Sequence, residues 1–167
     1  MTCCFIGHRK IVVTTALEHT LNNIIIRLIK IGVNEFVFGD HSDFDDICYN
    51  IVSELRKLYP HIRRIKYRKD YPHVKTGDYS MQFFIGGYED CFFPAGTEKA
   101  GRAAYVERNQ AMIRHSDYCV FYISEKYVQN HSTDRKSGTK IAFDYAKSKH
   151  KNIINVLDYI QKPDPST

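Results

Sequence analysis

Apolar residues follow two rhythms along this chain, one of period two and one of period 3.6. Thr2-Cys3-Cys4-Phe5-Ile6 is a short apolar run of strand type that Gly7 ends. From Ala16 to Ile31 the apolar positions Leu17, Leu21, Ile24, Ile25, Leu28 and Ile31 fall at helical spacing, with Thr14 or Thr15 placed as a cap and Gly32 as a stop. Glu35 to Phe38 predicts a second strand. Phe44, Ile47, Cys48, Ile51, Val52, Leu55 and Leu58 then mark a second amphipathic helix that Pro60 terminates. Ile62 to Tyr67 predicts a third strand, Gly101 to His115 a third helix, Tyr118 to Ile123 a buried strand, Thr139 to Lys149 a fourth helix and Asn152 to Leu157 a last strand.

Two stretches carry neither period. Pro72, Gly77, Gly86, Gly87, Pro94 and Gly96 interrupt residues 68–100, which predicts a long ordered loop with one short helix around Tyr79 to Ile85. A polar loop with Asn130, Ser132, Asp134 and Ser137 precedes the fourth helix, and residues 161–167 form a frayed tail. Five strands alternating with four helices specify an α/β sandwich with a mostly parallel sheet, because right-handed crossovers place helices on both faces. One domain over residues 1–160, with the loop insertion 68–100, is the expectation.

Composition narrows the class. A chain of 167 residues can bury a core without disulfide staples, and 43% hydrophobic with 26% charged residues is the balance of an ordinary globular domain. No run approaches the roughly 18 apolar residues of a membrane span. The first apolar run is followed at once by Gly-His-Arg-Lys instead of a signal-type apolar region. A cytoplasmic location with no membrane partner is expected. Cys3, Cys4, Cys48, Cys91 and Cys119 form no Cys-x-x-Cys pair and have no His at zinc-finger spacing, so reduced buried thiols are predicted, with no metal and no cofactor. Much of the net charge of +5 sits in residues 63–69, Arg-Arg-Ile-Lys-Tyr-Arg-Lys, read as a solvated strand face, with nucleic-acid contact as the alternative.

Candidate chemistry gathers at the ends of strands. In a parallel α/β sheet ligands sit at the carboxyl ends of the strands, where the strand order reverses. Gly7-His8-Arg9 follows the first strand, and Gly-Asp-His-Ser-Asp-Phe-Asp-Asp, residues 39–46, follows the second. There Ser42 or Asp43 suits a helix cap, while Gly39, Asp40 and Asp45 are candidates to face a ligand. Ser137-Gly138-Thr139 opens the fourth helix and offers N–H groups and hydroxyls to a phosphate. Gly7, Gly39 and Gly138 would let backbone approach a ligand. On the third helix Ala104, Ala111, Met112 and His115 are placed to face the core, so Arg108, beside Asn109, adjoins a partly buried face. A guanidinium there wants a phosphate or the Asp45 carboxylate as partner.

These residues resemble a family. Phe5-Ile6-Gly7-His8-Arg9-Lys10, then Phe38-Gly39-x-x-x-x-Phe44-Asp45, then Arg108-Asn109-x-x-Met112 before Ser116-Asp117-Tyr118-Cys119-Val120, then Ser137-Gly138-Thr139 and Lys151-x-Ile153-Ile154-Asn155 look like the YpsA-like branch of the SLOG superfamily, from Thr2 to Val156. The resemblance implies a Rossmann-like three-layer sandwich of about five strands, a nucleotide or nucleotide-derived ligand at the Gly-rich turns, and homo-oligomers, dimers or higher. The superfamily includes LOG-type phosphoribohydrolases, which cleave the N-glycosidic bond of nucleoside monophosphates, and DprA-like proteins, which bind single-stranded DNA. LOG enzymes carry a catalytic Glu three residues after the Thr of the helix-opening turn, where this chain has Ala142. Without it, only a carboxylate from another turn, Asp45 or Asp40, could serve the reaction, with Arg108. Binding or sensing of a nucleotide-type ligand is therefore the expected function. N-glycosidic hydrolysis and nucleic-acid binding through residues 63–69 are its alternatives, and the aromatics Tyr79, Phe83, Phe84, Tyr88, Phe92 and Phe93 are expected to close over the ligand or to fill a core beneath the loop.

Overall fold

A computed structural model of the chain describes residues 1–39, 42–69, 86–94, 97, 103–124 and 137–160. Its strands are β1 (Thr2–Gly7), β2 (Glu35–Phe38), β3 (Arg63–Tyr67), β4 (Asp90–Phe92), β5 (Tyr118–Tyr122) and β6 (Asn152–Asn155). Its helices are α1 (Thr15–Lys30), α2 (Asp43–Leu58), α3 (Ala103–His115), α4 (Gly138–Ser148) and the short α5 (Leu157–Ile160). The strands form one sheet in the order β4-β3-β2-β1-β5-β6, and every neighbouring pair is parallel. This is an α/β, Rossmann-like three-layer fold.

Period two in the central strands divides the core into two halves. Cys3 and Phe5 of β1, Phe36 and Phe38 of β2 and Val120 of β5 pack against Leu17, Leu21 and Ile25 of α1 and Phe44, Cys48 and Val52 of α2. Cys4, Ile6, Val37, Cys119 and Phe121 turn the other way, onto Met112 and Ile113 of α3 and Ala142 and Ala146 of α4. Both ends of α1 are set by sequence. The Thr14 hydroxyl accepts the Leu17 N–H at 3.2 Å, and at the other end Gly32, at φ 100°, lets its own N–H reach Ile29 and that of Val33 reach Leu28.

The sheet has six strands, one more than the pattern predicted. β4 lies inside the stretch read as a loop, pairing Ile65 with Asp90 and Tyr67 with Phe92. A three-residue strand is too short to show a period. Its presence also sets the surroundings of the basic segment: β3 lies between β2 and β4, and Arg63 and Arg64 are tied to carboxylates. Arg63 bonds to Glu35 and Asp90, each at 3.2 Å. Arg64 reaches Glu89 at 2.6 Å and also donates to Ser53 and Tyr49. Burial pushes the Glu89 carboxyl upward, but the Arg64 hydrogen bonds and the Arg64 and Arg56 charges outweigh it and hold the group below its ordinary value.

Cys3, Cys4, Cys48 and Cys119 are buried thiols, and Cys91 is half-buried. Burial raises Cys3, Cys4 and Cys48 well above the ordinary thiol value, the condition of inert packing residues. The last strand ends at Asn155, and α5 follows it. The helix expected around Tyr79 to Ile85, the loop carrying Asn130, Ser132 and Asp134, and the tail 161–167 lie outside the described residues. Among the described residues no helix is long and apolar enough to cross a membrane.

Candidate functional site

Strand order reverses between β1 and β5, since β1 to β4 run outward on one side and β5 and β6 on the other. A cavity of about 270 Å³ opens at that reversal. Gly7, His8 and Arg9 after β1, Gly39, Ser42 and Asp45 after β2, Arg108 and Asn109 of α3, and Ser137, Gly138 and Thr139 at α4 all line it. Residues from four separate stretches, singled out as candidates in the sequence, thus share one space. Asp40 lies outside the described residues.

Each turn is built by local chemistry. Ser42 caps α2, accepting the Asp45 N–H at 2.9 Å, and returns a hydroxyl bond to Asp45 Oδ2 at 2.7 Å. Asp45 Oδ1 accepts the Gly39 N–H at 3.3 Å, so this carboxylate ties the end of β2 to the start of α2. Asp43 pins the loop after β1: its carboxylate accepts from Lys10 Nζ at 3.1 Å and from the Ile11 N–H at 3.2 Å, while its own N–H donates to the Arg9 carbonyl. The Lys10 contact holds the Asp43 carboxyl below its ordinary value. Burial lowers the half-buried His8 imidazole, so His8 is neutral at pH 7.

The glycines separate on inspection. A Cβ on Gly7 would lie 2.5 Å from the ring of the buried Phe44, so Gly7 makes room for core packing. A Cβ on Gly39 would lie 2.7 Å from Arg108 Nη2, so Gly39 makes room for a side chain of the site. Only Gly138 of the three has open space where its side chain would stand. The hydroxyls predicted to meet a phosphate are also engaged: Ser137 Oγ accepts the Lys140 N–H at 3.2 Å, and Thr139 Oγ1 donates to the Gly7 carbonyl at 3.0 Å. What remains at this helix end are the N–H groups of Gly138 and Thr139, which precede the first intrahelical bond, that of Ile141 to Ser137.

Arg108 is 5% exposed. Its Nη2 donates to Asn109 Oδ1 at 3.2 Å, and its Cζ lies 5.5 Å from the centre of the Tyr105 ring. Ala104, Ala111 and Met112 face the core as expected, but His115 is exposed, with Nδ1 2.8 Å from the Tyr67 hydroxyl, whose pKa burial pushes up to about 12. Among the described residues the charged groups of the lining are Arg9, Arg108 and Asp45, two positive against one negative. Phe5, Ile6 and Met112 form its apolar wall, and Tyr105 completes it.

Tyr105 escaped the sequence reading. It precedes Arg108 by three positions on α3, hence on the same helical face, and that spacing could have found it. The loop aromatics go elsewhere: Tyr88 packs on Phe38 and Tyr49, Phe92 on Tyr67, and the Phe93 ring lies under Arg68. None of these three lines the cavity, and Tyr79, Phe83 and Phe84 lie outside the described residues. Among the described residues no cluster of three or more His, Cys, Asp or Glu side chains could hold a metal ion.

No protein-family model matches the chain, and no curated protein matches it either.

Proposed function

We propose that the chain binds a nucleotide or a related phosphorylated small molecule in the cavity at the carboxyl edge of its sheet, and binds it without cleaving it. The observation that carries this reading is the meeting of Arg9, Arg108 and the acid-free amino end of α4 in one cavity at the strand-order reversal. A guanidinium keeps its charge at any working pH and grips phosphate oxygens in pairs, and helix N–H groups add donors from a second direction. The volume of about 270 Å³ falls just below the usual ~300–1,000 Å³ for ligand pockets, which favours one nucleotide over a dinucleotide. The SLOG-like turns agree with this reading.

Cleavage of an N-glycosidic bond leaves an oxocarbenium-like sugar and wants a carboxylate beside it. Asp45 is the carboxylate of the described lining, and both its oxygens hold the β2–α2 turn together. Ala142, at the position where LOG enzymes have Glu, is buried among Met112, Ile113 and Phe121. These placements support binding over hydrolysis. Equilibrium dialysis against AMP, GMP, CMP and UMP, followed by chromatography of the retained compound, tests the reading. Retention of at least one intact nucleotide, lost in Arg108→Ala, is expected. Release of free base above a protein-free control would replace binding by hydrolysis, and retention of none would overturn the proposal.

A further inference from the structure

We infer that Gly39 is a positioning residue for Arg108: by presenting no side chain it fixes the guanidinium against the β2–α2 turn, and so sets the preference of the site for a phosphate ester over the unphosphorylated nucleoside. The ligand in this inference rests on the nucleotide reading above, and the geometry does not.

A Cβ at Gly39 would meet Nη2, Cζ and Nε of Arg108 at 2.7, 2.9 and 3.3 Å, and these are its three nearest neighbours. Backbone conformation gives no other reason for glycine here, because the positive-φ glycines among the described residues are Gly32, Gly86 and Gly87. The guanidinium is bounded elsewhere by the Tyr105 ring at 5.5 Å and by Asn109 Oδ1 at 3.2 Å. Gly39 is itself held, since its N–H donates to Asp45 and Asp45 is held by Ser42. Position therefore passes from the cap of α2 through Gly39 to the guanidinium on α3. A planar five-donor group discriminates by orientation, so a displacement of about an ångström removes paired recognition while leaving the charge in place. The nearest atoms that an alanine methyl at residue 39 meets are the far end of a flexible side chain, which moves aside more readily than the turn deforms.

The test compares wild type with Gly39→Ala in two measurements. Without ligand, the Arg108 Nε–H resonance, assigned by its loss in Arg108→Lys, reports the guanidinium position through the ring current of Tyr105. Calorimetric titration with AMP and with adenosine reports selectivity. Gly39→Ala is expected to fold, to shift the Arg108 resonance, and to lose about tenfold or more in affinity for AMP with that for adenosine unchanged. An unmoved resonance, or an unchanged ratio of AMP to adenosine affinity, overturns the inference. Should Gly39→Ala fold poorly, Gly39→Ala/Arg108→Gln regains the wild-type melting temperature if Arg108 is the obstacle, and failure to regain it overturns the inference. A wild type that binds no AMP removes the nucleotide reading, while the resonance comparison still decides the role of Gly39.

Discussion

Helices α2 and α4 bring their amino-terminal ends to the same cavity, and the two ends are built in opposite ways. Both are capped by serine, Ser42 and Ser137. α2 then places Asp43, Asp45 and Asp46 in its first turn, whereas the first turn of α4 has no acidic residue. The α2 carboxylates complement the positive helix end and fasten neighbouring backbone: Asp43 holds the loop after β1, and Asp45 holds Gly39. The positive end of α4 meets no carboxylate of its own and faces the cavity beside two guanidinium groups. One end of this cavity is thus committed to the fold, and the other is the end to which the proposed function assigns an anion.

The largest effect is expected where β1 touches both helices. Gly7 leaves room for Phe44 of α2 and receives the Thr139 hydroxyl of α4. Gly7→Ala overpacks Phe44 and should cost about 1–3 kcal/mol, read as a lowered midpoint in urea unfolding. A midpoint unchanged from wild type would mean that the contact relaxes at no cost.

Making the ends alike comes next. Gly138→Asp gives α4 the acidic start of α2 at a position with open space for a side chain. The variant should fold as wild type and bind AMP about tenfold more weakly or worse in calorimetry. Undiminished affinity would remove α4 from the anion site.

The caps separate the ends more finely. Ser42→Ala and Ser137→Ala should each cost about 1 kcal/mol in urea unfolding. The Ser42 change should cost the more, because its hydroxyl also donates to Asp45.

The smallest effect is one of pH. Burial lowers the folded-state pKa of His8, so below the ordinary histidine value of about 6.5 the unfolded chain binds more protons than the folded one. The His8 contribution to stability is therefore constant above that value and falls as pH drops through it toward the lowered folded value. His8→Gln should flatten melting temperature against pH in that window, and an unaltered slope would mean that His8 titrates as an exposed imidazole.

Much of the fold was legible because α1 and α2 repeat their apolar positions over 16 residues each and the central strands are apolar on both faces. β4 was not, because Asp90-Cys91-Phe92 is too short for a period and is placed by β3 pairing and by Arg63. The candidate site was legible as a set of turns, since strand ends in a parallel sheet converge on one edge. The division of labour inside it was not. Gly7 and Gly39 look alike in sequence, each closing a strand, and only packing shows that one accommodates Phe44 and the other Arg108. Thr139 likewise reads as a phosphate ligand until its hydroxyl is found on the Gly7 carbonyl, more than a hundred residues away in the chain.

The most direct test of the central claim, that this cavity holds a phosphorylated ligand through Arg108, is a thermal-shift measurement on wild type and Arg108→Ala. Each is melted with and without nucleoside mono-, di- and triphosphates, cyclic nucleotides, ADP-ribose and NAD. A ligand that binds only the folded state raises the melting temperature by mass action. A rise is expected for wild type with at least one of these compounds, strongest for a mononucleotide, and none for Arg108→Ala. No rise with any of them, or a rise of equal size in both proteins, would contradict it.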